Sequence, residues 1–137
     1  MPKWAIHDKW AAKIAITQEI SDFVNLLSDF PEKSQEFMDF CEHEGEAIIL
    51  QLVKVHDYSR IMKIPKYLQV VFLQQKGGEY VKAWYLHYVL DYIKMAPALS
   101  IEEILKRTED RFVHGEELEI IKKFVVDNAG EILQDCR

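Results

Sequence analysis

EYVKAWYLHYVLDYIKM, residues 79–95, decides the fold class. It is the clearest helix in the chain, preceded by Gly77-Gly78 and ended by Pro97. Tyr80, Trp84, Tyr85, Tyr88 and Tyr92 cover much of its circumference, a distribution suited to a core helix with an interface on one side. Working outward, helix signals continue in both directions. KYLQVVFLQQ follows Pro65 as a helix closed by the glycine pair, and Ser100 with Glu103 forms a capping box for IEEILKR. A last helix is expected from Glu116 to Phe124 or beyond.

Towards the N-terminus, His7 to Ala15 places Trp10, Ala11, Ile14 and Ala15 on one face. Thr17 is an N-cap for Gln18 to Leu27, whose stripe is Ile20, Phe23, Val24 and Leu27. Pro31 and Glu32 mark the start of a further helix through Phe37, Phe40 and Cys41. A break is expected near Gly45, with resumption as EAIILQLVKVHDYS. The β-branched residues there would also suit a buried strand, but no hairpin turn or strand partner accompanies them. The reading is an all-α, compact single-domain bundle of six to eight helices over residues 1–137, without internal repeats or linkers.

Composition agrees with one ordinary globular domain: 137 residues, 49% hydrophobic and 29% charged, with 5 Gly and 4 Pro. The net charge of −6 disfavours binding to nucleic acid by bulk electrostatics; a helical nucleic-acid-binding reading would lean on Lys54, Arg60, Lys63 and Lys66. Charges interrupt the N-terminal segment, and no apolar run reaches the roughly 18 residues of a membrane span, so the expected location is cytoplasmic. Cys41 and Cys136 are expected to be thiols in that compartment.

The residues able to carry chemistry are the histidines His7, His43, His56, His87 and His114. Two precede aspartate, as His7-Asp8 and His56-Asp57. The second pair ends the apolar run Ala47–Val55, which would deliver an imidazole and a carboxylate to a partly dry site. His87 and Asp91, four residues apart, share one helix face with Trp84. Small alanines after His7 would let another helix approach closely. Glu42, His43, Glu44 and Glu46 have ligand spacing but read more simply as a solvated acidic turn. His114-Gly115 reads as a loop.

With these motifs the chain resembles the HD-domain metal-dependent phosphohydrolases. In that family a histidine opens a helix containing alanines, as His7 does with Ala12 and Ala15. A buried helix then ends in His-Asp with a basic residue soon after, as in LVKVHDYSR with Arg60. Further histidines and a last aspartate follow, a part that His87 and Asp91 would supply. Ser59 stands where glycine is usual, and Arg60 where lysine is common. Asp110 and Asp127 are alternatives to Asp91 as the last ligand.

The resemblance implies that His7, His56, Asp57 and Asp91 bind a divalent metal ion (Mn, Fe, Zn or Mg). It further implies that His87 binds a second metal or protonates the leaving oxygen, and that Arg60 grips a phosphate. Trp84, Tyr85, Tyr88 and Tyr92 would wall the pocket for a small phosphorylated molecule or nucleotide. A second reading, from another class, is a non-catalytic helical interaction module or homodimer docking through helix 79–95.

Overall fold

The computed structural model describes the backbone of residues 3–55, 64–112 and 115–137, with side chains throughout except at 52–55, 64 and 65. Among the described residues there are eight α-helices and one short 3-10 turn, and no strand. The helices are α1 (Trp4–Lys13), α2 (Gln18–Asp29), α3 (Gln35–Val55), α4 (Ile64–Lys76), α5 (Gly78–Met95), α6 (Ile101–Arg111), α7 (Glu116–Asp127) and α8 (Ala129–Cys136). None of them is long and apolar enough to cross a membrane.

The central element is α5, which packs against α1, α2, α4, α6, α7 and α8. A helix apolar around most of its circumference must be covered on most sides, and Val81, Ala83–His87, Val89, Leu90 and Ile93 are all buried. Of its aromatic residues, Trp84 and Tyr85 lie in the core, whereas Tyr80, Tyr88 and Tyr92 are half-buried against it. Only Tyr88 and Tyr92, half-buried, and the exposed Met95 continue its apolar surface outward on the cleft side. Around it, Trp10, Leu27, Leu73, Ile104, Phe112, Leu118, Ile121 and Ile132 are fully buried.

The capping signals are realised in two places. Thr17 Oγ1 accepts from the Ile20 amide at 3.3 Å, and Ser100 Oγ accepts from the Glu103 amide at 3.1 Å. Several boundaries differ from the sequence reading, each for a local reason. Helix α1 begins at Trp4 because the Lys3 carbonyl already accepts from the Ile6 amide. It ends at Lys13, before Ala15, because Ala15 takes a left-handed backbone (φ 61). The amides of Ala15 and Ile16 then bond back to Ala12 and Ala11, a C-terminal motif usually built on glycine and hidden here by an alanine.

Pro31 opens the 3-10 turn Pro31–Lys33 and not α3, whose first turn starts from the Ser34 carbonyl. Gly45 does not break α3, which runs unbroken to Val55. At the C-terminus the last helix is divided in two: Asn128 Nδ2 donates to the Phe124 carbonyl at 2.8 Å and the chain restarts as α8. Gly77 joins α4 to α5 with φ 137, a conformation that side chains resist.

Helix α8 fastens the ends of the bundle. Asp135 accepts from Lys9 Nζ and from the Trp10 indole of α1. Arg137 donates to the carbonyls of Ile93, Ala96 and Leu99, covering the C-terminal end of α5.

A candidate metal centre beside an aromatic cleft

Two consecutive N-terminal helices and the distant central helix bring polar groups to one point inside the bundle. His7 comes from α1, Asn25 and Asp29 from consecutive turns of α2, and His87 and Asp91 from consecutive turns of α5. The two imidazoles are stacked with centroids 3.8 Å apart and planes inclined by 11°. Asp91 bridges them: Oδ1 lies 3.0 Å from His7 Nε2 and Oδ2 lies 3.2 Å from His87 Nε2. One ligand atom each from His7, His87 and Asp91 all fall within 4.8 Å of one another. Asp29 Oδ1 also lies 3.2 Å from His87 Nε2, while its Oδ2 accepts from the Trp4 indole at 2.6 Å. Both histidines are buried, at 2% and 3% exposure.

Burial pushes His7 below its ordinary value; the hydrogen bond to Asp91 only partly opposes this, and repulsion from His87 adds to it. Burial acts on His87 in the same sense, but hydrogen bonds to Asp29 and Asp91 outweigh it and raise His87. Asp91 is held well below the usual carboxylate range: burial would raise it, yet both imidazoles hold it down. Asp29 is lowered chiefly by its hydrogen bond from His87. Without a cation, burial thus favours the neutral form of His7, while the neighbouring carboxylates favour the charged form of His87.

The stability consequence has opposite signs for the two rings. His87, with its folded value raised, contributes fully below its unfolded value near 6.5 and loses that contribution as pH rises through the folded value. His7, with its folded value lowered, contributes above about 6.5 and loses it as pH falls. Thermal melts of the chelated protein between about pH 5 and 9 are expected to show an alkaline decline in wild type that is absent from His87→Gln. Equal alkaline declines in the two proteins would reverse this assignment.

A cleft of about 400 Å³ opens beside the cluster, with His87 and Asp91 in its wall and Ser28, Lys66, Trp84, Tyr88, Tyr92 and Arg111 around it. Arg111 Nη1 donates to the Tyr88 hydroxyl at 3.0 Å, and the guanidinium carbon lies 5.1 Å from the centre of the Tyr92 ring. Trp84 and Tyr88 stack at 5.3 Å. Ser28 Oγ, buried at the cleft wall, has no hydrogen-bond partner among the described residues. Behind the cluster, His7 Nδ1 likewise has none and lines a cavity of about 10 Å³ with Ser21, Asn25 and His87.

Of the residues singled out from the sequence, the structure unites His7, His87 and Asp91. His56, Asp57 and Arg60 lie outside the described residues, as do Lys63 and His114. The alternative aspartates are elsewhere: Asp110 is exposed on α6, and Asp127 pairs with Lys123 at 3.0 Å on α7. Glu42, His43, Glu44 and Glu46 are all exposed on α3. Tyr85 packs in the core against Trp84 and Phe112, whereas Trp84, Tyr88 and Tyr92 line the cleft.

The sequence reading missed Asn25, Asp29, Ser28 and Arg111. A signal existed for the first two: Ser21, Asn25 and Asp29 recur every four residues alongside the apolar stripe of α2, where buried polar groups require partners. Arg111 carried no such signal. No family model, no curated protein and no solved structure matches this chain.

Proposed function

We propose that His7, His87 and Asp91 hold a divalent cation and that the chain hydrolyses a phosphoester in the adjoining cleft. The observation that carries this reading is one group of two imidazole nitrogens and a carboxylate oxygen, within 4.8 Å of one another, at a cleft with two cationic side chains. The donor set fits the ion: two histidines and one carboxylate suit Mn(II), Fe(II) or Zn(II), whereas Mg(II) prefers oxygen ligands. Asp29 supplies further negative charge beside His87. His7 and Asp91 also occupy the first and last positions of the HD-type pattern, which supports a phosphohydrolase over other cation-dependent chemistries. Here His87 belongs with the ligands and not with proton donors to the leaving group.

When bound, the cation supplies Lewis acidity and lowers the pKa of a coordinated water. The protein's own groups have separate tasks. Asp91 and Asp29 offset the cation's charge, and burial of both imidazoles keeps competing water from their ring nitrogens. Arg111, oriented by Tyr88 and Tyr92, presents a planar donor edge to phosphoryl oxygens, with Lys66 as a second positive charge in the same wall. Tyr88 and Tyr92 offer ring surface to an apolar or aromatic portion of the substrate.

The test is reconstitution after chelation with Mn(II), Fe(II), Zn(II) or Mg(II), followed by elemental analysis and an assay on p-nitrophenyl phosphate. Stoichiometric uptake with hydrolysis is expected, and Arg111→Ala should lower kcat/KM by about 100-fold with the cation retained. Absence of uptake, with an unchanged Tm, would turn the assignment towards the interaction module. Sedimentation would then show whether the face of Tyr88, Tyr92 and Met95 joins two copies.

A further inference from the structure

A chain of hydrogen bonds leads from the His87 ring through Asn25 to a third carboxylate, Asp8. Asp8, next to His7 in sequence but facing α2, accepts from Ser21 Oγ at 2.5 Å, Gln18 Nε2 at 2.9 Å and Asn25 Nδ2 at 3.0 Å. Asn25 is 2% exposed, and its Oδ1 lies 2.8 Å from His87 Nδ1. A carboxylate only accepts, so the side of the Asn25 amide facing Asp8 must be its NH2 group. That leaves the amide oxygen, also purely an acceptor, against His87. The His87 nitrogen facing it must then carry hydrogen, and the free lone pair of a neutral ring falls on Nε2, the atom within reach of Asp91 and Asp29. Flipping the ring would put carbon against the amide oxygen and leave a buried acceptor unmatched.

We propose that Asp8 and Asn25 are positioning residues, which fix the His87 ring with hydrogen on Nδ1 so that Nε2 is presented to the cation. This rests on the cation reading above. It assigns the first His-Asp pair two separate jobs: His7 is a ligand, and Asp8 orients a different ligand through Asn25. Metal-bound histidines generally need such a partner on the second ring nitrogen, and its loss typically weakens binding about 10- to 100-fold.

Co(II) titration of the full chain tests it, read both as affinity and as the visible spectrum, with circular dichroism as a check on folding. Asn25→Leu is expected to weaken Co(II) binding by about 10- to 100-fold and to alter the spectrum. Asn25→Asp alone should also weaken it, because two carboxylates then face each other. Adding Asp8→Asn to Asn25→Asp restores a donor–acceptor pair of the same shape and net charge, and should return affinity to within a few-fold of wild type. That exchange also guards against a leucine variant that fails to fold. Equal Co(II) affinity and spectrum in wild type and Asn25→Leu would overturn this inference alone, as would an exchange variant no better than Asn25→Asp. No Co(II) uptake by wild type would overturn the cation reading together with it.

Discussion

Replacing Asp91 with asparagine is expected to lower divalent-cation affinity by at least about 100-fold, or about 2.8 kcal/mol. Asp91 is the only described group that reaches both imidazoles, with one oxygen for each ring. An amide of the same shape keeps one acceptor but loses the charge that offsets the cation. The metal-free protein should also lose about 2 kcal/mol near neutral pH, the usual scale for hydrogen bonds to charged groups. For a chain of this length that is roughly a 6–10 °C fall in Tm. Isothermal titration with Zn(II) and thermal melts in chelator measure the two effects separately. Wild-type affinity in Asp91→Asn would remove Asp91 from the centre. A lost affinity with unchanged Tm would mean that the metal-free hydrogen bonds contribute little.

The second large effect lies in the wall of the cleft. Phe112, next to Arg111 at the end of α6, is wholly buried and meets Trp84, Tyr85 and Tyr88 edge-on at 5.2, 6.3 and 5.1 Å. Phe112→Ala removes a ring on which three aromatic side chains of α5 rest, and should cost about 3–5 kcal/mol through lost burial and the cavity left behind. Denaturant unfolding is the direct measurement. Phe112→Leu fills most of the space and should cost less than about 1.5 kcal/mol. Because Tyr88 accepts from Arg111, substrate KM should rise in Phe112→Ala while cation affinity remains, the cation ligands being on α1 and α5. A loss below about 1 kcal/mol would mean that the wall closes over the missing ring.

The HD-type resemblance had already grouped His7 with Asp91; without it, the legible part of the centre was the part written within a single element. His87 and Asp91 are one turn apart, so helical geometry alone places them together, and the same geometry puts Trp84 and Tyr88 on the cleft side. Caps at Thr17 and Ser100 were readable because each satisfies an amide only three residues away. The break expected at Gly45 was wrong because a glycine's preference costs only about 1 kcal/mol, which packing along a long helix readily exceeds. The end of α1 was misplaced because an alanine occupies the left-handed position where glycine is the usual sign.

Periodicity and turn chemistry in the amino-acid order determined an all-helical protein whose most apolar helix is its centre, since a helix hydrophobic on nearly every side has no stable place at a surface. Which polar side chains meet inside it was decided by packing, which helical periodicity does not encode. Asp29 joins His87 across 58 positions of chain, Asn25 across 62, and His7 meets Asp91 across 84. The physical reason is one of range. Helical repeats relate residues a turn or two apart, whereas the approach of α1 and α2 to α5 depends on how all their side chains fit together at once.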